Sequence, residues 1–186
     1  MILPIYAYGQ PVLKKVAKDI SPDYEGLSQL IADMWETMEN ANGVGLAAPQ
    51  IGRSIRLFLV NSGPMFDEGE EHRGIRKVFI NAEIIEETGS DESINEGCLS
   101  IPEVTGNVDR PEEITIRYQD EDFVQHEETY TGMNARVIQH EYDHIEGILF
   151  TELVGPLRKR LIKRQLEKIR KGAIRPKYKM KFARVK

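Results

Sequence analysis

His140-Glu141-Tyr142-Asp143-His144 sets two histidines four residues apart in a stretch that reads as a helix from about Thr131-Gly132 to Gly147. Residues i and i+4 lie above one another on a helix, so both imidazoles point from the same side. Met133 and Val137 fall on that side too, at spacings of 4 and then 3 before His140. Two surface histidines would have no reason to line up with an apolar face. Turned inward they need a partner, and one metal ion serves both. Glu141 projects from the next position round, near enough to handle a metal-bound water without being a ligand. The pattern therefore asks for a fold built around this helix.

A catalytic metal site typically has three protein ligands and an open position. Glu152 and Glu167 are downstream acids of the kind that complete many HExxH sites. Upstream, Glu96-Gly97-Cys98-Leu99-Ser100 holds the chain's one cysteine, and a thiolate ligand would explain why it stands there. Spacing alone leaves both open. A single cysteine also excludes an intramolecular disulfide and suits a reducing, cytoplasmic setting.

Gly43-Val44-Gly45-Leu46-Ala47-Ala48-Pro49-Gln50-Ile51-Gly52 resembles the start of a dinucleotide loop, but its flanks are wrong for one. That loop follows a strand and opens a helix. Here a helix comes first: Ser21-Pro22-Asp23 looks like its start, and Leu27, Leu30, Ile31, Met34, Trp35 and Met38 keep helical spacing up to Asn42-Gly43. A strand, Ile55 to Val60, comes after. No nucleotide cofactor is expected.

Lys77 to Glu86 and Glu113 to Tyr118 read as further strands. Phe123 to Tyr130 reads as a hairpin partner turned by Gln119-Asp120-Glu121-Asp122. A third helix is expected from Pro156 to about Lys171, with Leu157, Leu161, Ile162, Leu166 and Ile169 inward. Lys177 to Phe182 alternates basic and apolar residues, as a packed edge strand would. The fold class expected is α+β: mostly antiparallel sheets packed around a central HExxH-bearing helix, with further N-terminal and C-terminal helices. At 186 residues, one domain over 1–186 is expected.

The net charge of −5 conceals an asymmetry. Arg158 to Lys186 carries 14 Lys and Arg against the single acid Glu167, which leaves a net −18 on the rest. A basic C-terminal helix and tail, about 156–186, suits a polyanionic partner. No apolar run approaches the roughly 20 residues that cross a bilayer, so no membrane partner is expected. The segment from Ser62 to Arg76 reads as a loop with an acidic tip, and His72 and His126 as surface histidines.

Three separated stretches, GVGLAAPQ, EGCLS and QHEYDH, together resemble the three motifs of bacterial peptide deformylases, in the same order. The resemblance implies that Cys98, His140 and His144 hold one divalent metal, Fe²⁺ in the cell, with Zn²⁺, Ni²⁺ or Co²⁺ also accepted. It implies that Glu141 is the catalytic acid and base, and that Gln50 and the Leu99 N–H meet the formyl oxygen. The activity implied is removal of the formyl group from the N-terminal formylmethionine of nascent polypeptides, with release of formate, in the cytoplasm. Val44, Gly45, Gly97, Met133 and Val137 are the substrate-binding residues implied, with small residues around Gly43 and Gly45 letting a peptide approach the backbone. Asp143 is expected behind the ligands, Glu96 paired with Arg110, Arg136 at the pocket mouth, and the basic tail near the ribosome.

Overall fold

Leu57-Phe58-Leu59-Val60 is apolar at every position because both of its faces are covered. In the computed structural model, which describes residues 1–183, these residues form strand β3 (Leu57–Asn61). Successive strand side chains point to opposite faces. Leu57 and Leu59 pack with Ile31, Met34 and Met38 of helix α1 (Leu27–Asn40). Phe58 and Val60 pack with Val137 and Ile138 of helix α2 (Gly132–Ile145). Strand β4 (Arg76–Cys98) repeats the division, with Val78 and Ile80 on the α1 side and Phe79 on the other. Phe58 and Phe79 stack at 4.8 Å between ring centroids.

These strands belong to a five-stranded sheet in the order β2 (Gly45–Ala47), β3, β4, β5 (Ile101–Gln119) and β6 (Gln125–Thr131), with every neighbour antiparallel. A second sheet joins strand β1 (Ile5–Tyr6) in parallel to strand β7 (Met180–Lys181). Helix α3 (Pro156–Arg170) and the start of β5 share a third core cluster that includes Ile101, Val108, Phe150, Ile162 and Ile169. The α+β class with mostly antiparallel strands is as expected. Among the described residues no helix is long and apolar enough to cross a membrane.

Several local expectations are corrected. Helix α1 begins at Leu27 behind Gly26, whose φ is 74°. Ser21 instead closes a turn by donating its hydroxyl to Asp23. The short-range bond satisfies the serine locally, as such side chains often do in turns. On α3 only Ile162 and Ile169 are buried, while Leu157 is 68% and Leu161 64% exposed. The inward arc of that helix is narrower than its apolar content implies. Strands β4 and β5 run far past the expected spans, because their mutual pairing carries the exposed polar residues between Glu86 and Glu92. His126 is half-buried, stacked on Tyr118 at 5.3 Å and 2.7 Å from Asp120 Oδ2, while His72 is exposed as expected. The basic tail's last three residues, 184–186, lie outside the described residues.

The β4–β5 hairpin closes through Leu99 and Ser100, with Cys98 paired to Ile101. The next pair is Gly97 with Thr105, so Pro102, Glu103 and Val104 leave the ladder, and Glu103 adopts a φ of 63°. Such irregularities re-aim the side chains beside them.

Candidate active site

The irregular hairpin end brings Cys98 to the face of α2 that carries His140 and His144. One donor atom from each of the three lies within 4.8 Å of the others. Cys98 Sγ is 3.3 Å from His144 Nε2, and the two imidazole rings meet edge to face at 5.1 Å. Glu152 and Glu167 are elsewhere, paired with Lys14 and Arg170 respectively. Cys98 is therefore the third member of the cluster.

Glu96 fixes this arrangement from behind. Its Oε2 lies 2.9 Å from His140 Nδ1, which places the proton on Nδ1 and leaves Nε2 as the free donor. Burial alone would raise the Glu96 carboxyl, but hydrogen bonds from His140 and Arg110 hold it well below the usual carboxylate range. Arg110 binds both Glu96 oxygens, at 2.7 and 3.0 Å, and reaches Asp143 Oδ2 at 2.7 Å. The pairing expected of Glu96 and Arg110 is present, and Asp143 joins it.

Arg136 lines the cavity over the cluster, as expected, yet it is anchored deep in the wall. It is 5% exposed, bonded to Glu96 Oε1 at 3.1 Å, to the Val108 carbonyl at 2.8 Å and to the Glu92 carbonyl at 2.6 Å. Two arginines and two carboxylates balance their charges within this buried group, and charged groups leave water at tolerable cost only when so matched.

A cavity of about 610 Å³ opens over the cluster. Val44, Gly45, Gln50, Gly97, Cys98, Leu99, Met133, Val137, His140 and Glu141 all line it. Of the expected site residues only His144 does not line it, being 1% exposed beneath. Burial pushes the Glu141 carboxyl up to about 7, and its Oε2 has no hydrogen-bond partner among the described residues. Gln50 Oε1 accepts the Ala47 N–H at 2.8 Å, which fixes the amide. Its Nε2 then points to Cys98 Sγ at 3.4 Å and Ser100 Oγ at 3.3 Å.

Two of the glycines have a structural use besides the one expected. A β-carbon on Gly45 would stand 2.6 Å from Glu141 Cδ, and one on Gly43 would stand 2.7 Å from Leu99 Cδ1. Ala47 and Ala48 are wholly buried. Gly43 and Gly45 thus make room for the site's own side chains. Gly97 differs, since a β-carbon there would meet nothing closer than 3.5 Å.

Ser100 and Tyr178 went unnoticed in the sequence. Ser100 is fully buried against Gln50, and Tyr178 lines the cavity while donating its hydroxyl to the Leu99 carbonyl at 2.7 Å. Ser100 could have been suspected as the polar neighbour of Cys98. Nothing local to Tyr178 pointed to the cavity.

A thiolate with two imidazoles is a donor set that divalent transition metals accept. The free Nε2 of His140 and the convergence of the three donors fit such an ion. The family model for polypeptide deformylase matches residues 2–160. The chain belongs to that family. A peptide deformylase of Christiangramia forsetii is 56% identical over 193 aligned residues, covering 100% of this chain and 98% of the relative. One from Flavobacterium johnsoniae is 51% identical with the same coverage. Among solved structures, a peptide deformylase from Legionella pneumophila matches with a TM-score of 0.80 at 36% identity, over 95% of this chain and 100% of that one. The Thermotoga maritima enzyme matches with a TM-score of 0.74 at 38% identity, over 84% and 99%. The protein is a metal-dependent hydrolase of protein biosynthesis, and the deformylase family removes N-formyl groups from nascent peptides.

The tight seat of Glu141 against Gly45 carries a prediction. Gly45→Ala forces the carboxylate aside by on the order of 1 Å, and misplacement of that size typically costs about 10²-fold in turnover. Formate release should fall that far, while circular dichroism and bound metal stay at parent levels.

Proposed function

We propose that Cys98, His140 and His144 hold one divalent metal, Fe²⁺ in the cell, and that the cavity above them removes formyl groups from N-terminal formylmethionine. The observation that carries this reading is the convergence of the three donors beneath a cavity whose wall includes an unpartnered Glu141 oxygen. A metal bound there polarises a carbonyl and acidifies water, so that hydrolysis proceeds near neutral pH.

Glu141 Oε2 takes a proton from the attacking water and passes one to the amine nitrogen as the C–N bond breaks. Formate and a free methionyl amine leave. The Gln50 amide and the Leu99 N–H donate to the formyl oxygen as charge gathers on it, and one such donor is typically worth roughly 3 kcal/mol. Gln50 is pre-aimed for this, because the Ala47 N–H holds its other end. Val44, Met133, Val137 and the His140 ring wall the methionine side chain. The backbones at Gly45 and Gly97 take the peptide as an added strand, a mode that tolerates varied later residues. The basic stretch of α3, with Leu157 and Leu161 exposed among its cations, suits a ribosomal contact in the cytoplasm.

Metal-loaded protein should release formate from a formyl-Met peptide and leave the acetylated analogue intact. No formate release would overturn the reading. Cys98→Ala should lose both the metal, measured by elemental analysis, and the activity; a variant that kept its metal would remove Cys98 from the ligand set.

A further inference from the structure

The Leu99-Ser100 turn is of an unusual kind for a two-residue hairpin. Tight hairpins favour turns with positive φ at one or both central residues, because those match the strand twist. Neither Leu99 nor Ser100 is among the residues with positive φ. The turn is held instead by bonds from elsewhere in the chain. The Tyr8 N–H donates to the Ser100 carbonyl at 2.9 Å, and Gln50 Nε2 to the Ser100 hydroxyl at 3.3 Å. At Leu99, Tyr178 Oη donates to the carbonyl at 2.7 Å.

Tyr178 is itself firmly placed. The segment around it alternates, with Arg175, Lys177, Lys179 and Lys181 exposed and the residues between them partly buried. The Ile5 N–H bonds to the Lys179 carbonyl at 2.9 Å and the Ala7 N–H to the Lys181 carbonyl at 3.0 Å. Gln10 Nε2 adds a bond to the Phe182 carbonyl at 2.8 Å. The hydroxyl thus reaches Leu99 from a segment pinned beside it, which lies beyond residues 2–160 matched by the family model.

We propose that Tyr178 is a positioning residue for deformylation: its hydroxyl, by holding the Leu99 carbonyl, aims the Leu99 N–H at the formyl oxygen. This rests on the role given to Leu99 above. The amide and carbonyl of Leu99 share one α-carbon, and Cys98 before it is held by its pairing with Ile101. With the carbonyl fixed as well, little freedom remains to the N–H. Tyr178→Phe removes the hydroxyl and keeps the ring in the cavity wall.

An aim that matters only as charge develops affects kcat and kcat/KM equally and leaves KM alone. Loss of one hydrogen bond is expected to lower kcat for a formyl-Met tripeptide about fivefold. KM should stay within about twofold, since ground-state contacts are kept. Bound metal should match the parent and Tm should fall by no more than about 2–4 °C, the effect of one hydrogen bond; exchange of the Leu99 amide proton, followed by NMR, should speed up while that of Leu59 does not. Unchanged kcat with unchanged exchange at Leu99 would overturn the inference and leave the deformylase reading standing. So would a loss of activity accompanied by lost metal or by a fall in Tm well beyond about 4 °C. A parent protein that releases no formate overturns the deformylase reading instead, and the exchange rate at Leu99 still decides whether Tyr178 holds the turn.

Discussion

Glu141→Gln is expected to lower kcat for formate release by about 10³-fold, in the middle of the range for loss of a positioned acid–base group. The exchange keeps the side chain's volume, so it still fits against Gly45, where there is no space for even one more carbon. It also keeps Cys98, His140 and His144, and metal content should not change. What it removes is the ability to accept a proton at a buried carboxylate oxygen that lines the cavity and has no partner among the described residues. KM for a formyl-Met peptide should move little. A variant with near-parent turnover would strip Glu141 of its role, and one that lost its metal would make it a structural residue.

Glu96→Ala has the largest effect expected on stability. Arg110 and Arg136 are 7% and 5% exposed, and both bond to this carboxylate. Asp143 remains for Arg110, but Arg136 would keep only backbone carbonyls. A buried charge deprived of its partner typically costs about 3–5 kcal/mol. For a chain of this size that corresponds to a fall in Tm on the order of 10 °C. His140 Nδ1 also loses its acceptor, and loss of such a support usually weakens metal binding by about 10–100-fold. Calorimetry and metal titration check the two parts separately. Glu96→Gln, which retains one acceptor, should fall between Glu96→Ala and the parent in both.

Much of the site was legible because it follows local rules. The four-residue step from His140 to His144 and the apolar line through Val137 suffice to make α2 a helix with a loaded face. Pro156 marks the start of α3 because its missing N–H is harmless there. Cys98 was one of several third ligands until the three motifs were taken together. The parts that escaped depend on distant partners. Arg136 stands on the buried face of α2, and the Glu96 carboxylate, 40 residues earlier, together with the Glu92 and Val108 carbonyls makes that tolerable. Strand β4 continues through acidic residues exposed to water, which carry no alternation, because β5 supplies its hydrogen bonds. Gly45 is small for the sake of Glu141, a neighbour 96 positions on.

The Leu99-Ser100 turn has a consequence for the order in which the protein acquires activity. Residues flanking a two-residue turn meet at little cost in chain entropy, so the β4–β5 hairpin can begin to zip beside Cys98 early in folding. The bonds that seat the turn come from Tyr8, Gln50 and Tyr178, spread over nearly the whole length of the chain. A newly made molecule whose C-terminal segment has yet to emerge can therefore hold the hairpin without the finished geometry. On the role proposed for Tyr178, the full rate is reached only once β7 has paired with β1 and the Tyr178 hydroxyl has closed on Leu99.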